Sequence, residues 1–404
     1  MNFSEVRFDF NSLQRIIFGN GRISELNQEI LSMLKPKGIK YPNAFLVTGK
    51  SSLKKSGYLD RIQKNLEDLR IYLEVYNKAG IEPTTSILNE GKKLALEQKA
   101  DVIIGIGGGS AMDTAKGIAG LVTNGGIVED YHAGKEFLKS PLPFILIPTT
   151  SGTGSEVSNN AVIKDEKLGY KKSIRGLWAS LAILDPELTL SLPKKYTAYS
   201  GADALVQAIE SLVSKGSNFV SVLFAKEAIK LLGENLPKVC NDLESRELRK
   251  NMMLGSLLDG ISFANGKLGA VHGFAHPIGI KHEIPHGLIC GLLLPYVMEY
   301  NIALDNVVEK YAWIADLFYH QKILLDYGVC SKILPTKKKE KAKWVIEKLK
   351  DIFKYIGIPL HLSELNIKES DIDDILKDTT GSSLANNPRD TDKKTLKKIL
   401  LNAL

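Results

Sequence analysis

The feature that most constrains the fold is a buried, β-branched run that ends in a cluster of glycines. The segment DVIIGIGGGS, residues 101–110, carries no charge after its first residue. A short apolar run of this kind is typical of a strand that is buried on both faces of a parallel sheet. The glycines mark a tight turn, and a helix is predicted to begin near Met112. The segment therefore predicts one strand–turn–helix unit of a parallel α/β domain.

The same alternation extends over the first half of the chain and then stops. Further strands are predicted at residues 43–49, 70–77, 142–148 and 181–188, with helices at 54–69 and 85–98. After Leu192 and Pro193 the pattern changes to long helices, which are predicted at residues 201–213, 219–232 and 247–263. We therefore predict two domains: an α/β domain over residues 1–192 and an all-α domain over residues 193–404.

The composition is that of a folded, water-soluble protein. Of the 404 residues, 44% are hydrophobic and 25% are charged, which excludes disordered and collagen-like chains. The net charge of +7 suits anionic ligands but is too diffuse to predict nucleic-acid binding. The longest apolar stretch, residues 287–298, is interrupted by Pro295 and is too short to span a membrane.

The cysteines and the first residues bear on the compartment. Cys240, Cys290 and Cys330 are odd in number and show no paired spacing, so a disulfide framework is not expected and a reducing compartment is favoured. The N-terminal segment lacks the uninterrupted apolar core of a signal peptide. We expect a cytoplasmic protein with neither a membrane nor a nucleic-acid partner.

Two loops rich in glycine and hydroxyl side chains are predicted at one edge of the sheet. The first is residues 105–110, and the second, PTTSGTGSE at residues 148–156, follows another buried strand. Glycines let backbone N–H groups approach a phosphate, and the partial positive charge of a helix N-terminus attracts it. Two such loops indicate a dinucleotide. Asp113, just inside the helix, is expected either to cap that helix or to bind a ribose or amide group.

The turn after the first long strand indicates which dinucleotide is bound. Selection of NAD generally uses a carboxylate there, to bind the ribose 2′-hydroxyl. This turn, TGKSSLKKSG at residues 48–57, has no acidic residue. Gly49, Ser51 and Ser52 offer space and hydroxyl groups beside Lys50, so NADP(H) is favoured; the alternative is a basic helix start that contacts no ligand.

Four of the seven histidines fall within fifteen residues, between positions 272 and 286. His272 and His276 share a helical face, and His286, after a proline, can fold back towards them. This arrangement suits a metal ion or a proton relay. A metal would need a further ligand, and Asp203, one turn before Gln207 at the start of a predicted helix, is the best candidate.

Together these motifs resemble the iron-containing (group III) alcohol dehydrogenase family. Seven segments carry the resemblance, in order: GGGSAMDTAK, PTTSGTGSEV, ILDPELTLSLP, TAYSGADALVQAIES, GAVHGFAHPIG, IPHG and NNPRD. It implies an N-terminal dinucleotide-binding α/β domain with a Rossmann-like parallel sheet and an all-α C-terminal domain, with the active site in the cleft between them. This architecture is like that of dehydroquinate synthase.

The resemblance also implies cofactor contacts. Gly107, Gly108, Gly109 and Ser110 would bind the pyrophosphate, Thr149, Thr150 and Thr153 would contact the cofactor, and Lys171 or Lys172 would approach the ribose of the nicotinamide half.

The metal ligands of the family map onto Asp203, position 207, His272 and His286. Position 207 is Gln, whose neutral amide is a poorer ligand than imidazole, so we expect weaker binding of a divalent ion, Fe(II) or Zn(II). The ion, held by Asp203 and His272, would act on the substrate oxygen, and His276 would relay the proton.

The resemblance implies a metal-dependent alcohol dehydrogenase or aldehyde reductase that interconverts a primary alcohol and its aldehyde with NAD(P). The turn at residues 48–57 favours NADP(H), and NAD stays possible as the cofactor. One alternative is a polyol dehydrogenase of the glycerol type. Another is a degenerate relative that binds a nucleotide without turnover. A carbocyclic synthase of the same superfamily fits the motifs less well. A homodimer or larger homo-oligomer is expected.

Overall fold

The computed structural model describes residues 7–80, 82–323 and 333–404. Cys330 lies outside these ranges, whereas Cys240 and Cys290 are described and are free, buried thiols. The chain divides into two compact units at Leu192. Residues 12–191 are called the α/β unit, and residues 7–11 with residues 192–404 are called the helical unit. A parallel sheet followed by helices confirms the predicted fold class.

The α/β unit alternates strands with helices. Its strands are β1 (Ile16–Phe18), β2 (Asn43–Thr48), β3 (Tyr72–Tyr76), β4 (Val102–Gly107), β5 (Phe144–Pro148), β6 (Asn160–Asp165), β7 (Tyr170–Arg175) and β8 (Leu181–Leu184). Its helices are α1 (Leu26–Leu34), α2 (Ser52–Lys55), α3 (Tyr58–Glu67), α4 (Thr85–Glu97), α5 (Gly109–Asn124) and α6 (Val128–His132).

The described strands form a six-stranded parallel sheet in the order β1-β8-β5-β4-β2-β3. Every residue of β4 and β5 is buried, as the apolar runs predict for central strands of a parallel sheet. The direction of chain progression reverses between β2 and β4, and open α/β sheets bind ligands beyond the carboxyl ends of strands at such a point. The sheet thus directs the loops after β2, β4 and β5 to one edge.

Helices cover both faces of this sheet. On one face, Leu46 and Ile104 pack in a core with Ile30 of α1 and Ile62 of α3. On the other face, α5 lies against β4: a Cβ added at Gly105 would sit 2.7 Å from Ala115 Cβ. Glycine at this position therefore allows α5 to approach the sheet closely.

The antiparallel hairpin of β6 and β7 was not predicted from the sequence. Strand β6 alternates buried with partly exposed residues, and the two strands carry three lysines and an arginine, so they lack the continuous apolar run that identified the central strands. The edge strand β1 is only three residues long and was also missed. Short or polar strands give a weak sequence signal because tertiary pairing decides their conformation.

The helical unit packs its helices around a large apolar core. Its helices are α7 (Lys194–Val213), α8 (Phe219–Val239), α9 (Arg246–Gly266), α10 (Ala270–His282), α11 (His286–Asn301), α12 (Asp305–His320), α13 (Lys338–Tyr355), α14 (Glu369–Asp378), α15 (Ser382–Ala385) and α16 (Lys393–Asn402). Among the described residues, none of these helices combines the length and apolar character that a membrane crossing requires.

Two details of the helical unit differ from the sequence expectations. Helix α7 begins at Lys194, directly after Pro193, so Asp203 lies mid-helix and not at a helix start. The first turns of α7 are polar and lack the apolar periodicity that predicts a helix. Residues 7–11 belong with this unit: the backbone N–H of Asn11 donates to Asn265 Oδ1 at 2.8 Å, and Phe10 stacks on Phe224.

Candidate functional site

The buried second half of helix α7 presents three large polar side chains among mostly apolar ones. Asp203, Gln207 and Glu210 follow one another at spacings of four and three residues, which places them on one face. All three are at most 4% exposed. Buried polar groups are retained only where they have partners or a function, so this face marks a site.

Helices α10 and α11 bring two imidazoles to that face. His272 is in the first turn of α10, and His286 is the first residue of α11, directly after Pro285. A Cβ at Gly287 would lie only 2.1 Å from the Tyr199 carbonyl oxygen of α7. A glycine at this position therefore lets the start of α11 lie against α7, beside Asp203.

The structure brings together Asp203, His272 and His286, and it adds a fourth residue, Cys290, one turn into α11. One ligand atom from each of the four lies within 4.8 Å of all the others. Asp203 Oδ1 is 3.5 Å from His272 Nε2 and 3.6 Å from His286 Nε2. Sequence reasoning missed Cys290, although its spacing of four residues from His286 places both side chains on one helical face.

A second missed residue, Glu210, orients His272. The Nδ1–H of His272 donates to Glu210 Oε2 at 2.6 Å, and the Val271 backbone N–H donates to Oε1 at 2.8 Å. A carboxylate can only accept, so this bond places a proton on Nδ1 and leaves Nε2 as the nitrogen that faces the cluster. Carboxylates orient metal-binding histidines in this way. The signal was in the sequence, two helical turns after Asp203.

The electrostatics of the cluster favour a positive charge at its centre. Burial raises the pKa of Asp203, but the neighbouring His286 and His272 outweigh burial and hold that pKa below its usual value. Burial lowers the pKa of His272, yet Cys290, Asp203 and Glu210 together raise it well above its usual value. Burial raises the pKa of the Cys290 thiol to about 12.

The donor atoms fit a divalent cation. Gln207 Nε2 donates to Asp203 Oδ2 at 3.1 Å. Within the described ranges, Asp203 Oδ1 and Gln207 Oε1 are buried without a hydrogen-bond donor. An unpaired, buried carboxylate oxygen beside two imidazole nitrogens is costly unless a cation binds it. Carboxylate, imidazole and thiolate ligands suit zinc, and oxygen and nitrogen ligands also suit Fe(II).

His276 lies one turn after His272 on α10. Its ring stacks on that of His286, with centroids 5.1 Å apart and planes 25° apart, and it is only partly buried. It does not belong to the group of possible ligands formed by Asp203, His272, His286 and Cys290. An imidazole between this group and solvent is suited to carry a proton.

In the α/β unit, the two glycine-containing loops lie side by side. The Thr149 backbone N–H donates to the Gly107 carbonyl at 2.9 Å. A Cβ at Gly108 would lie 3.5 Å from Thr150 Cγ2, and one at Gly109 would lie 2.9 Å from Thr153 Cγ2. Ser110 is in the first turn of α5. Glycines therefore bring the start of α5 into contact with the threonine loop, at the edge where a pyrophosphate would bind.

Asp113 does not cap α5, because the N-cap is Gly108 and no side chain caps this helix. Its carboxylate accepts from Ser155 Oγ at 2.6 Å and from the Val162 backbone N–H at 2.9 Å. Asp113 therefore ties α5 to the threonine loop and to the hairpin of β6 and β7. Its role as a cofactor ligand stays a prediction.

The remaining predicted cofactor residues lie apart from these loops in sequence. Lys171 pairs with Glu82, and Lys172 donates to the His132 carbonyl. The turn after β2 places Gly49 half-buried at the strand end, with Ser51 and Ser52 exposed at the start of α2. Because β2 and β4 are neighbours, this turn shares the edge of the glycine loop.

Models of one protein family match both units. The model "Iron-containing alcohol dehydrogenase" matches residues 14–186, and the model "Fe-containing alcohol dehydrogenase family, C-terminal" matches residues 197–404.

Relatives match over nearly the whole chain. The NAD-dependent methanol dehydrogenase of Bacillus methanolicus is 30% identical over 96% of this chain and 97% of its own. The long-chain primary alcohol dehydrogenase AdhA of Thermoanaerobacter ethanolicus is 35% identical over 92% of this chain and 89% of its own. The crystal structure of a 1,3-propanediol oxidoreductase aligns with a TM-score of 0.89 and 30% identity, over 98% of this chain and 100% of that one.

Proposed function

Because this chain belongs to the iron-containing alcohol dehydrogenase family, we propose that it is an NADP(H)-preferring, metal-dependent reductase that converts an aldehyde to its primary alcohol. The family implies an alcohol or aldehyde substrate, a nicotinamide cofactor and a divalent metal. We propose three things beyond what the family implies: the preference for NADP(H), the reductive direction and the roles of the individual residues.

The observation that carries this proposal is the cluster of Asp203, His272 and His286, drawn from three helices into one buried site. A divalent cation held by these side chains would act as a Lewis acid toward the oxygen of the alcohol or aldehyde. Glu210 accepts from His272 Nδ1 and so aims His272 Nε2 at the cluster. Gln207 Nε2 donates to Asp203 Oδ2 and so holds the carboxylate in place.

His276 is the proposed proton donor in the reductive direction. Its ring stacks on His286 and is partly exposed, so an imidazole nitrogen of His276 can exchange its proton with solvent. Reduction of the carbonyl needs one proton at the oxygen as hydride reaches the carbon, and His276 supplies that proton in this scheme.

The α/β unit is proposed to bind the cofactor. The backbone N–H groups at the start of α5, from Gly108 to Ser110, would bind the pyrophosphate. Beside them, the turn of Gly49, Ser51 and Ser52 has no carboxylate to repel a 2′-phosphate, and Lys50 adds positive charge. NADPH is the form in which cells hold reducing power, which favours the reductive direction.

The experiment measures NADPH and NADH oxidation by the purified full chain with Zn(II) or Fe(II) supplied. The substrate panel spans short and long straight-chain aldehydes, a hydroxyaldehyde and an anionic aldehyde. We expect oxidation of NADPH with primary aldehydes, and a loss on the order of a hundredfold or more in Asp203→Asn. The control Asp305→Asn alters an exposed carboxylate at the start of α12 and should keep full activity.

Two outcomes would contradict the proposal. Reduction of NAD with glycerol-like compounds but no reaction with simple aldehydes would identify a polyol dehydrogenase. Tight NADPH binding without turnover across the panel, with either metal supplied, would identify a nucleotide-binding protein that has lost catalysis.

A further inference from the structure

Cys290 faces the cluster from α11. The residue has no measurable solvent exposure. Its sulfur lies 3.6 Å from His286 Nε2 and 3.9 Å from His272 Nε2. A buried cysteine usually packs as a small apolar residue, but this one has two imidazole nitrogens and a carboxylate as neighbours.

Several distances between the donor atoms are close to those that a shared ion would impose. Donors bound tetrahedrally at about 2.0–2.1 Å for nitrogen or oxygen and about 2.3 Å for sulfur lie about 3.3–3.6 Å from one another. The oxygen–nitrogen distances here are 3.5 and 3.6 Å, and the sulfur–nitrogen distances are 3.6 and 3.9 Å. All four donors lie within 4.8 Å of one another, which is compact enough for one ion to contact them all.

Gln207 is the other candidate for a fourth ligand. Its Nε2 donates to Asp203 Oδ2, and its buried Oε1 has no hydrogen-bond donor, but a neutral amide oxygen is a weaker ligand for zinc than a thiolate. We propose that Cys290 Sγ, and not the Gln207 amide, is the fourth protein donor, and that the resulting Asp203–His272–His286–Cys290 set selects zinc over iron. The inference rests on the proposed function, since it concerns the same metal site.

The donor chemistry sets the metal preference. Thiolate is a soft ligand that favours Zn(II), which also lies above Fe(II) in the general order of affinities. Binding would replace the S–H bond of Cys290 with a sulfur–zinc bond and release the proton to solvent. Zinc can expand to five-coordination, so four protein donors still leave a position for the substrate.

The test is X-ray absorption spectroscopy at the zinc edge on the zinc-loaded full chain. We expect a sulfur neighbour at about 2.3 Å together with nitrogen and oxygen neighbours at about 2.0–2.1 Å. The sulfur neighbour should persist in Cys240→Ala and Cys330→Ser but disappear in Cys290→Ser. Cys240 is a matched control, because it is also buried in the helical core.

Zinc affinity is the second readout, measured against a competing chelator. Outer-shell ligand partners contribute about 10–100-fold to metal affinity, so losing a direct donor in Cys290→Ser should cost at least as much. The preference for zinc over Fe(II) should fall together with the zinc affinity. Circular dichroism shows whether each variant is folded. If Cys290→Ser does not fold, the X-ray absorption spectrum of the wild-type chain still tests the inference.

The outcomes separate this inference from the proposed function. Stoichiometric zinc with only nitrogen and oxygen neighbours, in a chain that reduces aldehydes with NADPH, would overturn the role of Cys290 alone. A chain that binds neither zinc nor iron at Asp203 and shows no turnover would overturn both.

Discussion

Glu210 illustrates how one buried carboxylate can determine the chemistry of a neighbour. It accepts two hydrogen bonds, one from the Val271 backbone and one from His272 Nδ1, and it is 4% exposed. Both of its oxygens face donors. An amide in its place would turn an N–H₂ group toward one of them, so one bond would be lost.

We expect Glu210→Gln to weaken zinc binding by about 10–100-fold, because the His272 proton is no longer held on Nδ1. A chelator competition titration measures this. The control Glu227→Gln changes a half-exposed carboxylate, paired with Lys230 on α8, and should leave zinc affinity unchanged. Equal affinities for Glu210→Gln and wild type would show that Glu210 does not orient a ligand.

Glu156, in the threonine loop, should make stability depend on pH. Burial raises its pKa from 4.5 to about 7, against opposing effects from its backbone hydrogen bond and from Lys116. Between these two pH values the folded chain keeps a proton that the unfolded chain has lost. Stability is therefore expected to fall as the pH rises from about 4.5 to about 7.

Glu156→Gln should remove this slope, because glutamine does not titrate. Urea unfolding at pH 5 and at pH 7.5 gives the unfolding free energy at each pH. The loss of unfolding free energy between the two pH values should be smaller in the variant than in wild type by about 1–3 kcal/mol. Glu136→Gln, at an exposed position, serves as control and should keep the wild-type slope. A variant slope equal to that of wild type would mean that Glu156 is ionised throughout.

The sequence predicted part of the cluster at the level of residues. Asp203, His272 and His286 could be named because histidines clustered beside glycine and proline turns are unusual. Cys290 and Glu210 were missed despite their helical spacing from His286 and Asp203, since a lone cysteine in an apolar helix and a glutamate in a helix interior are common. Only the packing of α7, α10 and α11 shows that Cys290 lies near His272 Nε2 and that Glu210 contacts His272 Nδ1.

At the scale of elements, the contact between α7 and α11 determines whether the site forms. Gly287 has the Tyr199 carbonyl oxygen where a Cβ would lie, at 2.1 Å, and the backbone of α7 cannot move aside easily. A larger residue must push the start of α11, with His286, away from Asp203.

Gly287→Ala is expected to lower stability by about 1–3 kcal/mol and to reduce zinc affinity at the same time. Thermal unfolding and chelator competition measure the two effects. Gly291→Ala, one turn later, is the matched control: its Cβ would meet the tip of the Ile358 side chain at 2.8 Å, which can rotate. If the two variants bound zinc equally well, the close approach at Gly287 would not matter to the site.

The turn between β2 and α2 carries the proposed coenzyme preference. In Gly49→Asp, a carboxylate would accept from a ribose 2′-hydroxyl and repel a 2′-phosphate. The ratio of kcat/KM for NADPH to that for NADH should fall by about tenfold or more, equivalent to about 1.4 kcal/mol. Asn65→Asp, an exposed change of the same charge on α3, should leave the ratio unchanged. An unchanged ratio in Gly49→Asp would remove the basis for NADP(H).

Elements with one strong sequence signal were predicted, and those whose form depends on tertiary contacts were not. The buried strands β2, β4 and β5 were identified by continuous apolar runs. The hairpin of β6 and β7 was missed because its lysines obscure the alternation, and the start of α7 was missed because its first turns are polar.

At the scale of the whole molecule, the two units carry different parts of the proposed chemistry. The α/β unit supplies a sheet edge with two glycine-containing loops, which suits a phosphate-bearing cofactor. The helical unit supplies a buried acid, two imidazoles and a thiol, which suit a divalent ion. The order of the units along the chain and their fold classes followed from where the strand signal ends, near residue 192.

The central claim is that turnover depends on an ion held by Asp203, His272 and His286. It is tested most directly by stripping the full chain of metal with a chelator and returning Zn(II) in steps while NADPH oxidation by an aldehyde is followed. The account predicts negligible turnover in the stripped chain and a rise that levels off at one bound ion per chain. Near-normal turnover in the metal-free chain would contradict it.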